Sequence, residues 1–119
     1  MTSRRNLGIL LFSTPYGSES ADTAVKIAET ALKMGHNVSI FAYGDGVHGF
    51  TTGQKAKGIP NAEQNISRLI DQGLDAQLCG TCLNFRGMTD NLLLKGAKRS
   101  SLANLCKVIA ESDVFVTFA

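Results

Sequence analysis

Only two prolines, Pro15 and Pro60, occur in the 119 residues, and neither follows the single Cys-x-x-Cys pair, Cys79 and Cys82. A thioredoxin-like dithiol needs a proline candidate downstream of its cysteines, so this shortage weighs against that reading of the pair. Long apolar runs are also missing. Leu7 to Phe12 is too short to span a bilayer and is not followed by a signal-peptide cleavage pattern, which leads to the expectation of a cytoplasmic protein. Charge of either sign is scarce: 12 basic and 10 acidic side chains leave a net +2, with no basic stripe or RNA-type aromatic motif, so nucleic-acid binding has little support. Neither Gly-x-Gly-x-x-Gly nor Gly-x-x-x-x-Gly-Lys occurs, and no cofactor is implied. Cysteine is limited to Cys79, Cys82 and Cys106. In a reducing compartment, three at uneven spacing argue for thiol or metal chemistry over a disulfide framework.

What is present reads as one domain over residues 1–119, with 44% hydrophobic and 18% charged residues. The run Leu7 to Phe12 has the pattern of a central strand covered on both faces. Ser13 to Gly17 forms a loop, and Ser18 or Ser20 is placed to cap a helix with Ala24, Ile27, Ala28, Ala31 and Leu32 on one face, ended by Gly35. His36 to Tyr43 is a second strand, which makes a right-handed βαβ unit. Residues 47–58 read as a mobile flap with one helical turn. Asn61, with Gln64 as capping-box partner, opens a helix carrying Ile66, Leu69 and Ile70 up to Gly73. Leu74 to Leu78 is a third strand ending at Cys79. Residues 88–100 read as a helix followed by a loop, 101–112 as a helix with Cys106 on its buried face, and 113–118 as a buried strand. The fold class is therefore α/β: a three-layer α/β/α, doubly wound domain around a mostly parallel sheet of four or five strands. Its strand ends carry Ser13–Gly17, Gly44–His48 and Cys79 to one edge, where ligands and catalytic groups gather in such sheets.

The two cysteines of the pair admit four readings. Each is a candidate buried hydrophobe, the more so Cys82. A redox dithiol is the second. Zinc is the third; it wants four ligands, and Cys106 with His36 or His48 is a remote complement, so no metal is expected. The fourth is persulfide carriage, in which a thiolate favoured by a helix start accepts and passes on a terminal sulfur. Arg86 is a candidate donor to that anion or a cap for the helix end. Tyr16 is a candidate lining residue of the thiol pocket, and His48 a candidate base or proton relay.

Several segments together resemble the DsrE/TusD-like (DsrE/DsrF-like) sulfur-relay family: the apolar first strand with Pro15-Tyr16-Gly17 after it, Asp45-Gly46-Val47 after the second strand, Leu78-Cys79 with Arg86-Gly87 beyond, and the Ser-Leu-rich last helix with Val114-Phe115-Val116. The resemblance implies a sulfurtransferase that carries a persulfide on Cys79. It further implies sulfur-donor and sulfur-acceptor partner proteins, a trimeric or hexameric homo-oligomer or an assembly with related subunits, and no membrane. Cys82 departs from the single-cysteine pattern of the best-known carriers and opens a resolving or polysulfide step. The alternatives are a non-catalytic assembly subunit and a Cys79/Cys82 dithiol oxidoreductase.

Overall fold

The computed structural model describes residues 3–119. Five strands, β1 (Asn6–Leu11), β2 (Asn37–Ala42), β3 (Asp75–Cys79), β4 (Lys98–Ser100) and β5 (Val114–Phe118), form one sheet in the order β4-β3-β2-β1-β5. All four pairings are parallel, with Ile9 beside both Ile40 and Val116 at the centre. Four helices alternate with them: α1 (Ser20–Lys33), α2 (Ala62–Asp71), α3 (Gly80–Phe85) and α4 (Leu102–Glu111). The first three crossovers step in one direction and the last steps back across the sheet, so right-handed connections send α4 to the face opposite α1 and α2. The core lies between β1–β3 and the α1/α2 pair, around Ile9, Ile40, Leu78, Ala24, Ala28, Ile66 and Leu69.

Local chemistry sets the boundaries. Asn61 caps α2 by accepting the Gln64 N–H at 3.0 Å, and Ser101 caps α4 by accepting that of Asn104 at 3.4 Å. Gly35 (φ +88°) ends α1 in the left-handed conformation that a Cβ disfavours. The start of α1 differs from expectation. Its cap position is Glu19, which already has helical dihedrals (φ −83°, ψ −8°) and makes no side-chain cap, while Ser18 Oγ accepts the Ser20 N–H.

Four further expectations are corrected. Residues 44–50 form a compact 3₁₀ turn whose Val47 and Phe50 are fully buried, so the first part of the supposed flap belongs to the core. Residues 88–100 contain a short 3₁₀ turn at Asp90–Leu92 and then strand β4, not a helix. Strand β4 has no apolar residue; polar contacts hold it instead, from Asn104 Nδ2 to Ser100 Oγ (3.0 Å), Ser100 Oγ to Gln77 Oε1 (2.8 Å), and Gln77 Nε2 to Asp75 Oδ2 (2.8 Å). Strand β5 is an edge strand with Val114 52% and Val116 37% exposed rather than a buried one. Helix α4 has the expected span, but Cys106 is exposed; Val108 is the one residue of this helix that is buried.

Candidate functional site

Cys79 ends β3 and is at the same time the cap residue of α3, so its sulfur accepts the backbone N–H of Cys82 at 3.4 Å. This is the strand-to-helix junction read from the sequence. With only six residues, α3 has little macrodipole, and the first-turn amide of Cys82 is the donor directed at the Cys79 sulfur. The second sulfur has its own donor: Gly44 N–H points to Cys82 Sγ at 3.1 Å. Both side chains are buried, Cys79 to 3% and Cys82 to 6% exposure. Burial, and after it the neighbouring Cys79 sulfur, push the Cys82 thiol above its ordinary value, against the pull of the Gly44 amide and Arg86. Cys82 is therefore held as a neutral thiol at physiological pH.

Arg86 does not reach toward a sulfur. Its Nε and Nη2 both donate to Asp45 Oδ1 (3.1 and 2.7 Å), and its Nη1 donates to the Cys82 carbonyl at 3.0 Å. It thus ties the carboxyl end of α3 to the Gly44–Phe50 turn, which is the capping role weighed against the donor role. Hydrogen bonding and charge from Arg86 hold the Asp45 carboxyl below the usual carboxylate value. His48 Nε2 faces the same Asp45 oxygen at 3.9 Å. The structure therefore gathers Cys79, Cys82, Asp45, Arg86 and His48 at one place.

Tyr16 belongs elsewhere. At a left-handed backbone position (φ +70°), it sends its hydroxyl to Gln54 Oε1 and accepts the Ala62 N–H at 3.1 Å, and it lines a cavity between α1 and α2 that contains neither cysteine. Two functional residues escaped the sequence reading. Asp45 stood there only as part of a segment, and Arg99 only as half of a basic pair. Arg99 Nη1 donates to Gly80 O (3.1 Å) and Asn84 Oδ1 (2.9 Å), and Nη2 to Met88 O (2.9 Å), so it clamps α3 over the thiols. Nothing in the sequence signals a clamp from nineteen residues away. Among the described residues, no group of three or more His, Cys, Asp or Glu side chains is placed to hold a metal ion, and no helix is long and apolar enough to cross a membrane.

A parallel doubly wound sheet with a cysteine at a strand-to-helix junction defines the class, an α/β fold. The DsrE/DsrF-like family profile matches residues 5–118, and the chain belongs to that family. It is 34% identical over 110 residues to an uncharacterized protein of Methanocaldococcus jannaschii, covering 92% of this chain and 96% of the relative. It is 33% identical over 110 residues to an uncharacterized protein of Methanopyrus kandleri, covering 92% and 91%. The crystal structure of the ychN protein from E. coli superposes with a TM-score of 0.91 at 27% identity, over 96% of this chain and 99% of that one.

Proposed function

We propose that the protein is a cytoplasmic sulfur carrier in which Cys79 bears a persulfide between a donor and an acceptor protein. The observation that carries this reading is the Cys79 sulfur at the cap of α3 with the Cys82 amide directed at it, while Cys82 is kept protonated by burial. In loading, the Cys79 thiolate attacks the terminal sulfur of a donor persulfide, forming Cys79–S–S⁻ and releasing the donor thiolate. In unloading, an acceptor thiolate attacks that terminal sulfur and the Cys79 thiolate leaves. Neither step is a net oxidation. The burial of Cys79 counts against a freely accessible nucleophile, so transfer requires α3 to swing away from its clamp. Phe85, 83% exposed at the end of α3, offers a partner a handle on that short helix. The unpaired edge of β5 with Val114 and Val116, and Leu102 and Ile109 on α4, support assembly into a homo-oligomer, a trimer or hexamer, or with related subunits.

Incubation of the reduced protein with polysulfide, followed by intact mass, tests the assignment. In a Cys106→Ser background, which removes the exposed thiol, the expected result is a gain of one sulfur that is lost when Cys79→Ser is added; persistence there overturns it. Absence of any gain in the wild type favours a non-catalytic assembly subunit. The neighbouring thiol favours one second reading, a dithiol step. The Cys82 thiol passes its proton to the terminal sulfur of Cys79–S–S⁻ and its sulfur attacks the Cys79 sulfur, expelling hydrosulfide and leaving a Cys79–Cys82 disulfide. Sulfide release that disappears in Cys82→Ser identifies that route.

A further inference from the structure

A cavity of about 390 Å³ opens between the amino end of α1, the Gly44–Phe50 turn and α2, at the carboxyl end of β1. Its walls are mainly apolar, with Leu11, Pro15, Val25, Ile59 and Ile66 among them. Ser13 also lines it, is 8% exposed, and its Oγ has no hydrogen-bond partner among the described residues. Buried hydroxyls are normally paired, and leaving one orphaned destabilises the empty protein. In its present rotamer this oxygen is shielded from solvent, so binding through it requires a turn about χ1 to another staggered position. Tyr16, bonded to Gln54 and to the Ala62 amide, braces the mouth from the loop side.

From this geometry we infer a binding site for a small uncharged molecule with an apolar body and one hydrogen-bond-accepting oxygen, such as an aryl or alkyl carbonyl compound, which takes the Ser13 hydroxyl as its donor. The volume is that of a small-molecule site. Charge on the ligand is disfavoured for two reasons. A full charge drawn among these mainly apolar walls gives up its hydration for only a few polar side chains, Ser13, Ser18 and Asn65 among them. An anion additionally meets Glu19 and Asp22 at the rim, of which, among the described residues, Asp22 alone has an ion-pair partner, Lys26 at 3.0 Å. The site is independent of whether Cys79 carries sulfur, yet it shares a wall with the thiols: Gly46 and Gly49 line the cavity, and Gly44 of the same turn holds Cys82.

The test is an amide-resolved NMR titration of the full reduced chain with three probes of similar shape: acetophenone, benzoate and benzylamine. Saturable shifts centred on Ser13, Gly46, Gly49 and Asn65 are expected for acetophenone, with the two charged probes at least about tenfold weaker. Ser13→Ala should weaken acetophenone by about 2- to 12-fold, the range of one neutral hydrogen bond. In the absence of probe the same variant should melt no lower than wild type, since it removes an orphaned hydroxyl. Asn65→Phe, at a half-buried lining position on α2, should abolish binding while the spectrum stays dispersed. No saturation, shifts centred elsewhere, equal or tighter binding of a charged probe, or unchanged affinity in both variants overturns the inference.

Discussion

Removing the Arg99 clamp should make the buried thiols reactive. In Arg99→Ala, α3 and the chain after it lose the hydrogen bonds to Gly80 O, Asn84 Oδ1 and Met88 O, along with the Nε contact to exposed Asp90, which solvent screens. A net hydrogen bond contributes about 0.5–1.5 kcal/mol, and those to a charged group rather more. Because the Arg99 side chain is 30% exposed, solvent screening keeps the sum in the lower part of that range. Three such bonds then give about 1.5–3 kcal/mol, which raises the population with α3 displaced by about 10- to 150-fold. When reclosing outpaces modification, the labelling rate follows this open population. The assay is iodoacetamide labelling of Cys79 and Cys82 read by peptide mass, in a Cys106→Ser background because exposed Cys106 reacts first. Arg99→Lys should resemble Arg99→Ala, since an ammonium cannot span three acceptors in a fork. Labelling in Arg99→Ala at the wild-type rate, with both proteins still unfolding cooperatively, would show that α3 is not the gate.

Two more outcomes follow from the turn and the second thiol. Gly46→Ala places a Cβ 2.1 Å from the Leu11 carbonyl oxygen, a backbone atom of the central strand that has nowhere to go, and should destabilise the protein by about 2–3 kcal/mol; thermal melts should fall by roughly 6–15 °C, and a shift below about 2 °C contradicts the close approach. The Cys82 thiol is raised in the folded state above its ordinary 9.0, so its contribution is whole below that pH and is lost as pH climbs from there toward the folded value. Urea unfolding from pH 8 upward should therefore show wild-type stability declining more steeply than that of Cys82→Ala, and parallel declines refute the assignment.

Much of the fold was legible because the central elements carry their own patterns. The apolar runs of β1 and β2, the spaced aliphatics of α1 and α2, and Asn61 before α2 are local signals that the packing reinforces. Strand β4 was not legible: Lys98-Arg99-Ser100 has no strand propensity, and only the polar bonds from Gln77 and Asn104 make it one. Val114-Phe115-Val116 reads as doubly covered, yet among the described residues no strand lies beyond β5, and Cys106 on α4 is exposed despite its helical spacing. The junction at Cys79 was readable from the change of period around it. Burial of the pair stood there as one of four readings, and the contacts that go with it, from Gly44 and Arg99, come from distant segments. Tyr16 illustrates the limit of strand-end reasoning: its loop leaves the expected edge, but the 3₁₀ turn stands between it and the thiols.

The placement of β5 beside β1 also orders the events of synthesis. Strands β1, β2 and β3 are neighbours in both sequence and space, so they can associate while the ribosome is still extending the chain. The outer edge of β1, however, stays open until Val114–Phe118 is made more than a hundred residues later. During that interval a hydrophobic edge is available to any passing strand, which makes it the point where a nascent chain is most prone to mispair. The same late arrival closes the bond from Phe12 N–H to Phe118 O at 2.8 Å, where the loop bordering the cavity begins. The loop after β1 is thus among the last to be anchored.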